Sequence, residues 1–263
     1  MKPIFIESLG IAAPGLAGWP QARAVLRGEQ AYAAQELETY QPNFLPPNER
    51  RRATPAVRLA FRVSEEAVAG SSLPAQDLAA VFATSEADTS ILHRICSALA
   101  EDSRAVSPTD FHNSVHNAAA GYWSIAATAK LPSVTLAAHD ATFMAGLIEA
   151  CGLIHGDSYS VLLAVYDLRP PAPLFDGRPL LSHAGVAFVL TAERSQRSLA
   201  QIDIASTSAG ETAMGDASLE ALRSGNPACR ALPLLRLLAT EESGDICLAG
   251  TGAQRWQLRV QLL

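Results

Sequence analysis

Charge is scarce in this sequence. Only 17% of its 263 residues are Asp, Glu, Lys or Arg, and the formal net charge is −6. A surface so poor in cations argues against nucleic acid as a partner, because phosphate binding needs a basic face. The local exception is Glu49-Arg50-Arg51-Arg52. It reads as a solvated turn before a helix, with contact to an acidic partner as the other reading. Long apolar runs are missing too. Nothing approaches the ~20 apolar residues of a membrane helix. Met1-Lys2-Pro3 leads straight into the strand-like Ile4-Phe5-Ile6, so no signal peptide and a cytoplasmic location are expected. Cysteine is sparse: Cys96, Cys151, Cys229 and Cys247 show no C-x-x-C spacing and are expected reduced and buried. Neither a G-x-S-x-G elbow nor a G-x-G-x-x-G or Walker-type loop occurs. A serine hydrolase and a nucleotide cofactor are therefore not indicated, and no cofactor or metal is expected.

What is present is an ample core, with 49% of residues hydrophobic. Short β-branched runs alternate with longer helical patterns, which predicts an α/β fold with mixed sheets. Strands are expected at Ile4–Ile11, Ala79–Ala83, Val134–Ala138, Tyr159–Tyr166, Ala187–Leu190 and Ile202–Ala205. At the end of the chain, Trp256, Leu258, Val260 and Leu262 alternate with polar residues, a period of two with one buried face. Helices are expected at Trp19–Leu26, Glu86–Leu99, Asn117–Lys130 and Ala141–His155. Another begins at Thr54, a cap followed by Pro55, with Leu59, Val63 and Ala67 as its apolar face. Residues 31–52, 107–116 and 170–179 read as loops.

Three stretches can carry chemistry. In Ser107-Pro108-Thr109-Asp110-Phe111-His112-Asn113-Ser114-Val115-His116, two histidines stand four positions apart. Zinc needs three or four ligands, so loop packing with hydrogen-bonded histidines is the better reading. In His139-Asp140-Ala141-Thr142-Phe143, a strand runs directly into a helix with Asp140 at the turn. Such a turn suits a nucleophile, because helix amides stabilise anions there, and it equally suits a plain helix cap. Phe175-Asp176-Gly177-Arg178-Pro179, leading to Gly185-Val186-Ala187-Phe188, reads as a turn followed by a buried strand.

In this order and spacing the three stretches resemble the β-ketoacyl-ACP synthases of the thiolase fold. The 107–121 segment resembles the family's Ser-Pro…Asn-x-x-x-Gly loop and helix at the dimer interface. Residues 175–190 resemble its RDG…GEGA segment, with glycines and acids partly lost. Residues 4–28 are similar to its opening strand and helix, and 250–262 to its last turn and strand. The resemblance implies a layered αβαβα thiolase-like fold in one domain spanning 1–263. Its N-terminal half, 1–205, would be complete, and 206–263 would be a shortened C-terminal remnant ending in a strand.

The departures carry the functional expectation. The family's strand ends in Thr-Ala-Cys; here it ends in Ala138-His139-Asp140, which places Asp140 on the nucleophile's position. The family's catalytic histidines belong to its second half, whereas all six histidines here lie between His93 and His183. Condensation needs a thiolate and donors for the enolate, and a carboxylate is a far weaker nucleophile towards a thioester.

The resemblance therefore implies a chain-length factor of the short form found in aryl polyene-type pathways. Such a subunit is non-catalytic, dimerises with an active β-ketoacyl-ACP synthase, meets acyl carrier protein through that complex, and shapes the acyl tunnel. The tunnel and interface residues expected on this basis are Thr89, Ile91, Leu92, His93 and Ile95; Phe111, His112, Ser114, His116 and Asn117; and Val134, Leu136 and His139. Ordinary core or dimer packing is the plain reading of the apolar members. The strand 133–138 is expected to pair with the partner's equivalent across the dimer axis. Two other readings stand beside this one: a free-standing acyl-ACP enzyme with Asp140 as general base, and a homodimeric acyl-binding protein.

Overall fold

The sheet is organised around a strand with a fault in it. In the computed structural model, which describes residues 2–263, β1 (Ile4–Ala12) slips register against its neighbour between Ile6 and Ser8. The bulge at Glu7 resets the parity of the strand. Ile4 and Ile6 before it, and Leu9 and Ile11 after it, all enter the same core; an unbroken strand would send one pair to the opposite face. Glu7 itself is buried and accepts from the backbone N–H and hydroxyl of Ser72.

The remaining elements follow in chain order. They are α1 (Trp19–Leu26), α2 (Pro47–Arg52), α3 (Pro55–Gly70), β2 (Ala79–Ala83), α4 (Thr89–Ala100), α5 (Pro108–Asn113), α6 (Ala118–Ala126), β3 (Ser133–Leu136), α7 (Thr142–Asp157), β4 (Val161–Asp167), α8 (Leu174–Gly177), β5 (Ala184–Thr191), β6 (Ala200–Ser206), α9 (Ala217–Gly225), α10 (Leu232–Thr240), β7 (Gly244–Ala249) and β8 (Arg255–Leu262). The strands form one eight-stranded sheet in the order β3-β2-β4-β5-β1-β6-β8-β7. β3, β2 and β4 run parallel, and the other neighbours are antiparallel.

β4 shows why the sheet is central. Val161, Leu163 and Val165 enter the core shared with α7 and α10, while Leu162, Ala164 and Tyr166 enter the core shared with α3 and α6. A strand buried on both faces reads as a continuous apolar run, as expected from its sequence. α3 begins as its sequence predicts: the Thr54 hydroxyl accepts from Val57 N–H at 3.3 Å, Pro55 follows, and Leu59, Val63 and Ala67 are buried. Its close approach to β1 depends on Gly10, where a Cβ would stand 2.3 Å from the Val63 carbonyl oxygen.

The α/β class with mixed strand directions is as expected, and several details differ. Hydrogen bonds between β1 and β6 at Ile4–Ile6 join the strands into a single sheet. Residues 47–52 are helical rather than loop, with Arg50 donating to the Leu45 carbonyl at 2.9 Å. α4 starts at Thr89, not Glu86, because the Asp88 side chain caps it through Ile91 N–H. Residues 108–113 form a short helix capped by Ser107. α6 stops at Ala126, and Thr128 turns left-handed at φ 51°. β3 ends at Leu136 because the Ala138 N–H turns to the Thr142 hydroxyl at 3.1 Å. Of the four free cysteines, Cys151 and Cys229 are buried, but Cys96 is exposed and Cys247 half-buried. No helix among the described residues is long and apolar enough to cross a membrane.

Candidate functional site

Asp140 sits where β3 gives way to α7, inside a short 3-10 turn (His139–Ala141). His139 takes a left-handed conformation there, at φ 52°, which a non-glycine residue adopts only when its surroundings hold it. Helix capping, expected for Asp140, does not occur: the residue at the cap is Ala141, with no side-chain bond. Thr142 does the local work, donating its hydroxyl to the His139 carbonyl at 2.6 Å. The Asp140 carboxylate is left free to turn outward.

It turns to Arg178. The Arg178 Nη1 donates to Asp140 Oδ1 at 2.7 Å, its Nε to Glu86 Oε1 at 2.8 Å and its Nη2 to Ser85 Oγ at 3.3 Å. All three guanidinium nitrogens are engaged, and the Arg178 side chain is only 15% exposed against 50% for Asp140. On the other side, Arg230 Nη2 approaches Asp140 Oδ2 at 4.0 Å and its Nη1 binds Glu211 at 3.2 Å. Arg223 extends the chain of charges to Glu211 at 3.1 Å and Glu220 at 2.7 Å. The Arg223 hydrogen bonds hold the Glu220 carboxyl down to about 2. Ala138–Ala141, Glu211, Arg230, the Ala249–Gly252 turn and Arg255 line an open cleft of about 560 Å³ at this place.

Beneath the cluster lies a second carboxylate, fully buried. Asp167 Oδ1 accepts from Ser85 N–H at 2.8 Å, Ser85 Oγ at 2.9 Å, Thr84 Oγ1 at 3.1 Å and Glu86 N–H at 3.3 Å. Burial pushes its pKa up to about 7, against those hydrogen bonds, which lower it. Burial also pushes Cys151 up to about 11 and Cys229 up to about 12, so neither offers a thiolate.

Among the histidines, His139 meets Asp140, with Nδ1 3.6 Å from Oδ1. His116 contacts the Thr84 carbonyl at 3.0 Å, His155 the Lys2 carbonyl, and His183 accepts from Arg169 N–H. His112 sets its ring edge-on to Tyr122 and does not share a site with His116. Of the other expected residues, Thr89 and Ile91 are buried, while His93, Ile95, Val134 and Leu136 are half-buried. Leu92, Phe111, Ser114 and Asn117 are exposed. The apolar residues of α4 do not share one buried face: Ile91 is fully buried, and Leu92 and Leu99 are 50% and 52% exposed. None of the expected residues on α4, α5 or β3 lines the cleft.

Arg178, Glu86, Ser85, Arg230 and Asp167 were not anticipated as site residues. Arg178 lay within a stretch already singled out, and Asp167 is a lone charge closing an apolar strand. Their partners, however, are far away in the chain.

A family model described as the beta-ketoacyl synthase N-terminal domain matches residues 19–257. The chain belongs to the β-ketoacyl synthase family. Its fold is the thiolase-like ketosynthase fold, in a short chain. Among solved structures, this synthase-family chain is similar to the ketosynthase ApeO in complex with its chain length factor ApeC from Xenorhabdus doucetiae. The identity is 22%, the TM-score 0.74, and 97% of this chain and 98% of that chain are covered. The ishigamide ketosynthase/chain length factor matches at 14% identity and TM-score 0.75 over the whole of both chains. AntDE:AntF, a type II polyketide synthase acyl-carrier protein in complex with its ketosynthase, matches at 12% identity and TM-score 0.75, covering 100% of this chain and 99% of that one. At these identities the likeness is one of fold. No protein of curated function matches at the sequence level.

Proposed function

We propose that this chain is the non-catalytic, chain-length-factor member of a heterodimer with an active β-ketoacyl-ACP synthase, shaping that partner's acyl tunnel in an aryl polyene-type pathway. The observation that carries the reading is Asp140, at the strand–helix junction where the family holds its nucleophilic cysteine, with its Oδ1 bonded to Arg178. A carboxylate has no sulfur to take an acyl group as a thioester, and burial keeps the thiols of Cys151 and Cys229 far from ionising. The condensing chemistry then belongs to the partner, and carrier protein reaches the pair through it. Residues 206–263 are the remnant of the family's second half.

The surface supports a partner. Among the described residues β3 is an edge strand paired only with β2, a hazard that proteins usually cover. α6 packs beside β3, and α5 is tied to α4 by the Arg94–Asp110 ion pair at 2.7 Å. These helices and their connections expose Leu92, Leu99, Phe111, Val115 and Ile125. Five large apolar side chains left in water near one sheet edge fit burial against a second protein. Thr89, Ile91, Leu92, His93, Ile95, Phe111, His112, Ser114, His116, Asn117, Val134, Leu136 and His139 remain the proposed tunnel and interface positions.

Co-expression with the ketosynthases of the same source tests this. A stable 1:1 complex, active only when the partner retains its cysteine, is the expected result. A chain that stays soluble and unpaired with every ketosynthase offered, or that turns over acyl-ACP alone and loses this on Asp140→Asn, sinks the reading.

A further inference from the structure

Arg178 joins two turns that follow the paired strands β2 and β3, which are hydrogen-bonded as far as Thr84 N–H on the Leu136 carbonyl at 3.1 Å. One is the β2–α4 turn, where Ala87 is left-handed at φ 54°; the other is the 3-10 turn, where His139 is left-handed at φ 52°. Each conformation is sparsely populated for a residue with a side chain and persists only when neighbours over-determine it. The first turn is held from inside by Asp167, through Ser85 and Glu86, and by Thr84 Oγ1 accepting from Ala87 N–H at 3.1 Å. It is held from outside by Arg178 on Ser85 Oγ and Glu86 Oε1. Two residues after Glu86, Asp88 caps α4. The second turn is held from inside by the buried Thr142, whose hydroxyl donates to the His139 carbonyl at 2.6 Å and accepts from Ala138 N–H at 3.1 Å; outward, Asp140 bonds Arg178 at 2.7 Å, with Arg230 4.0 Å from its other oxygen.

We infer that Asp140 is a positioning residue for α4, acting through Arg178 to clamp the β2–α4 turn and so fix the helix that borders the partner's tunnel. The inference rests on the proposed function for its consequence on products, but the clamp itself is a property of this chain alone. It gives the residue at the lost nucleophile's place a task of its own. An Asp is suited to it: the carboxylate is short, planar and charged, and reaches one edge of a guanidinium whose other edge is already on Glu86. The nearly buried setting of Arg178 separates this ion pair from an ordinary surface pair, which is worth little.

The test has two arms on four variants: Asp140→Asn, which keeps shape and loses charge; Asp140→Glu, which keeps charge; Arg178→Gln; and the double variant Asp140→Asn with Arg178→Gln. In the first arm, amide exchange is followed on the purified chain. Exchange at residues 84–92 should rise about fivefold in Asp140→Asn and Arg178→Gln, the two together adding little to either alone, and stay near wild type in Asp140→Glu. In the second arm, product lengths are measured with the ketosynthase complex. Asp140→Asn should broaden the distribution with pairing unchanged, and Asp140→Glu should restore it. Unchanged exchange in Asp140→Asn overturns the clamp. Raised exchange with unchanged products overturns the positioning role and leaves a local brace. A wild-type chain that pairs with no ketosynthase removes the proposed function, while the exchange arm still decides the clamp.

Discussion

The backbone N–H of Glu86 donates to the buried carboxylate of Asp167 at 3.3 Å, while the Glu86 side chain accepts from Arg178 on the opposite side. One residue thereby connects the interior of the sheet to the ion cluster around Asp140. Its inner anchor is a carboxyl that burial has pushed up to about 7 from 3.8.

That shift sets a pH dependence. Between about pH 4 and 7 the folded chain holds a proton on Asp167 that the unfolded chain has released. Stability therefore falls as pH rises through that window and levels off above it. Asp167→Asn removes the fall, so the variant's stability relative to wild type should climb from pH 4.5 to pH 7.5 in urea unfolding. Parallel curves for the two proteins would count against a raised Asp167.

Gly10→Ala should destabilise the fold by about 2 kcal/mol, because the added Cβ meets the Val63 carbonyl, a backbone atom that α3 cannot move aside alone. Chemical denaturation reads this directly. Gly152→Ala, on α7 with nothing within 4 Å of the added atom, serves as the harmless control.

Leu99→Asp and Phe111→Asp place a charge on side chains 52% and 70% exposed. Melting temperature of the isolated chain should stay within a few degrees of wild type, since surface changes cost little. Recovery of a ketosynthase partner on co-purification should drop at least tenfold. Full recovery with both substitutions present would move the interface elsewhere.

Ile91 and Ile95, both proposed tunnel positions, differ in burial. Ile91 is fully buried, so Ile91→Trp overpacks the chain and should cost about 1–3 kcal/mol. Ile95 is half-buried on the same helix, so Ile95→Trp should be tolerated. In the complex it should shorten the products, as seen by mass spectrometry of the released chains. Unaltered lengths with an intact complex would remove Ile95 from the tunnel.

Much of the framework was legible because it is local. The Thr54-Pro55 start of α3, the apolar run of β4 and the alternation of β8 each follow from the spacing of a few neighbouring residues. The left-handed turns at Ala87 and His139 were not legible, since no glycine marks either. Nor were α9, α10 and β7: their apolar residues face a core assembled from β1, β4 and β5, and the pattern has meaning only once that core exists.

The α/β alternation and the family were readable without any coordinates, because each is carried by residue type and spacing along the chain. What Asp140 binds came from the packed fold. Its partner Arg178 stands 38 positions away, and Arg178 reaches Glu86 across 92. A cap bonds within its own turn and can be guessed from the turn. An ion pair between distant segments exists only when the packed sheet brings three turns to one end, and there the carboxylate follows the guanidinium and leaves the helix uncapped.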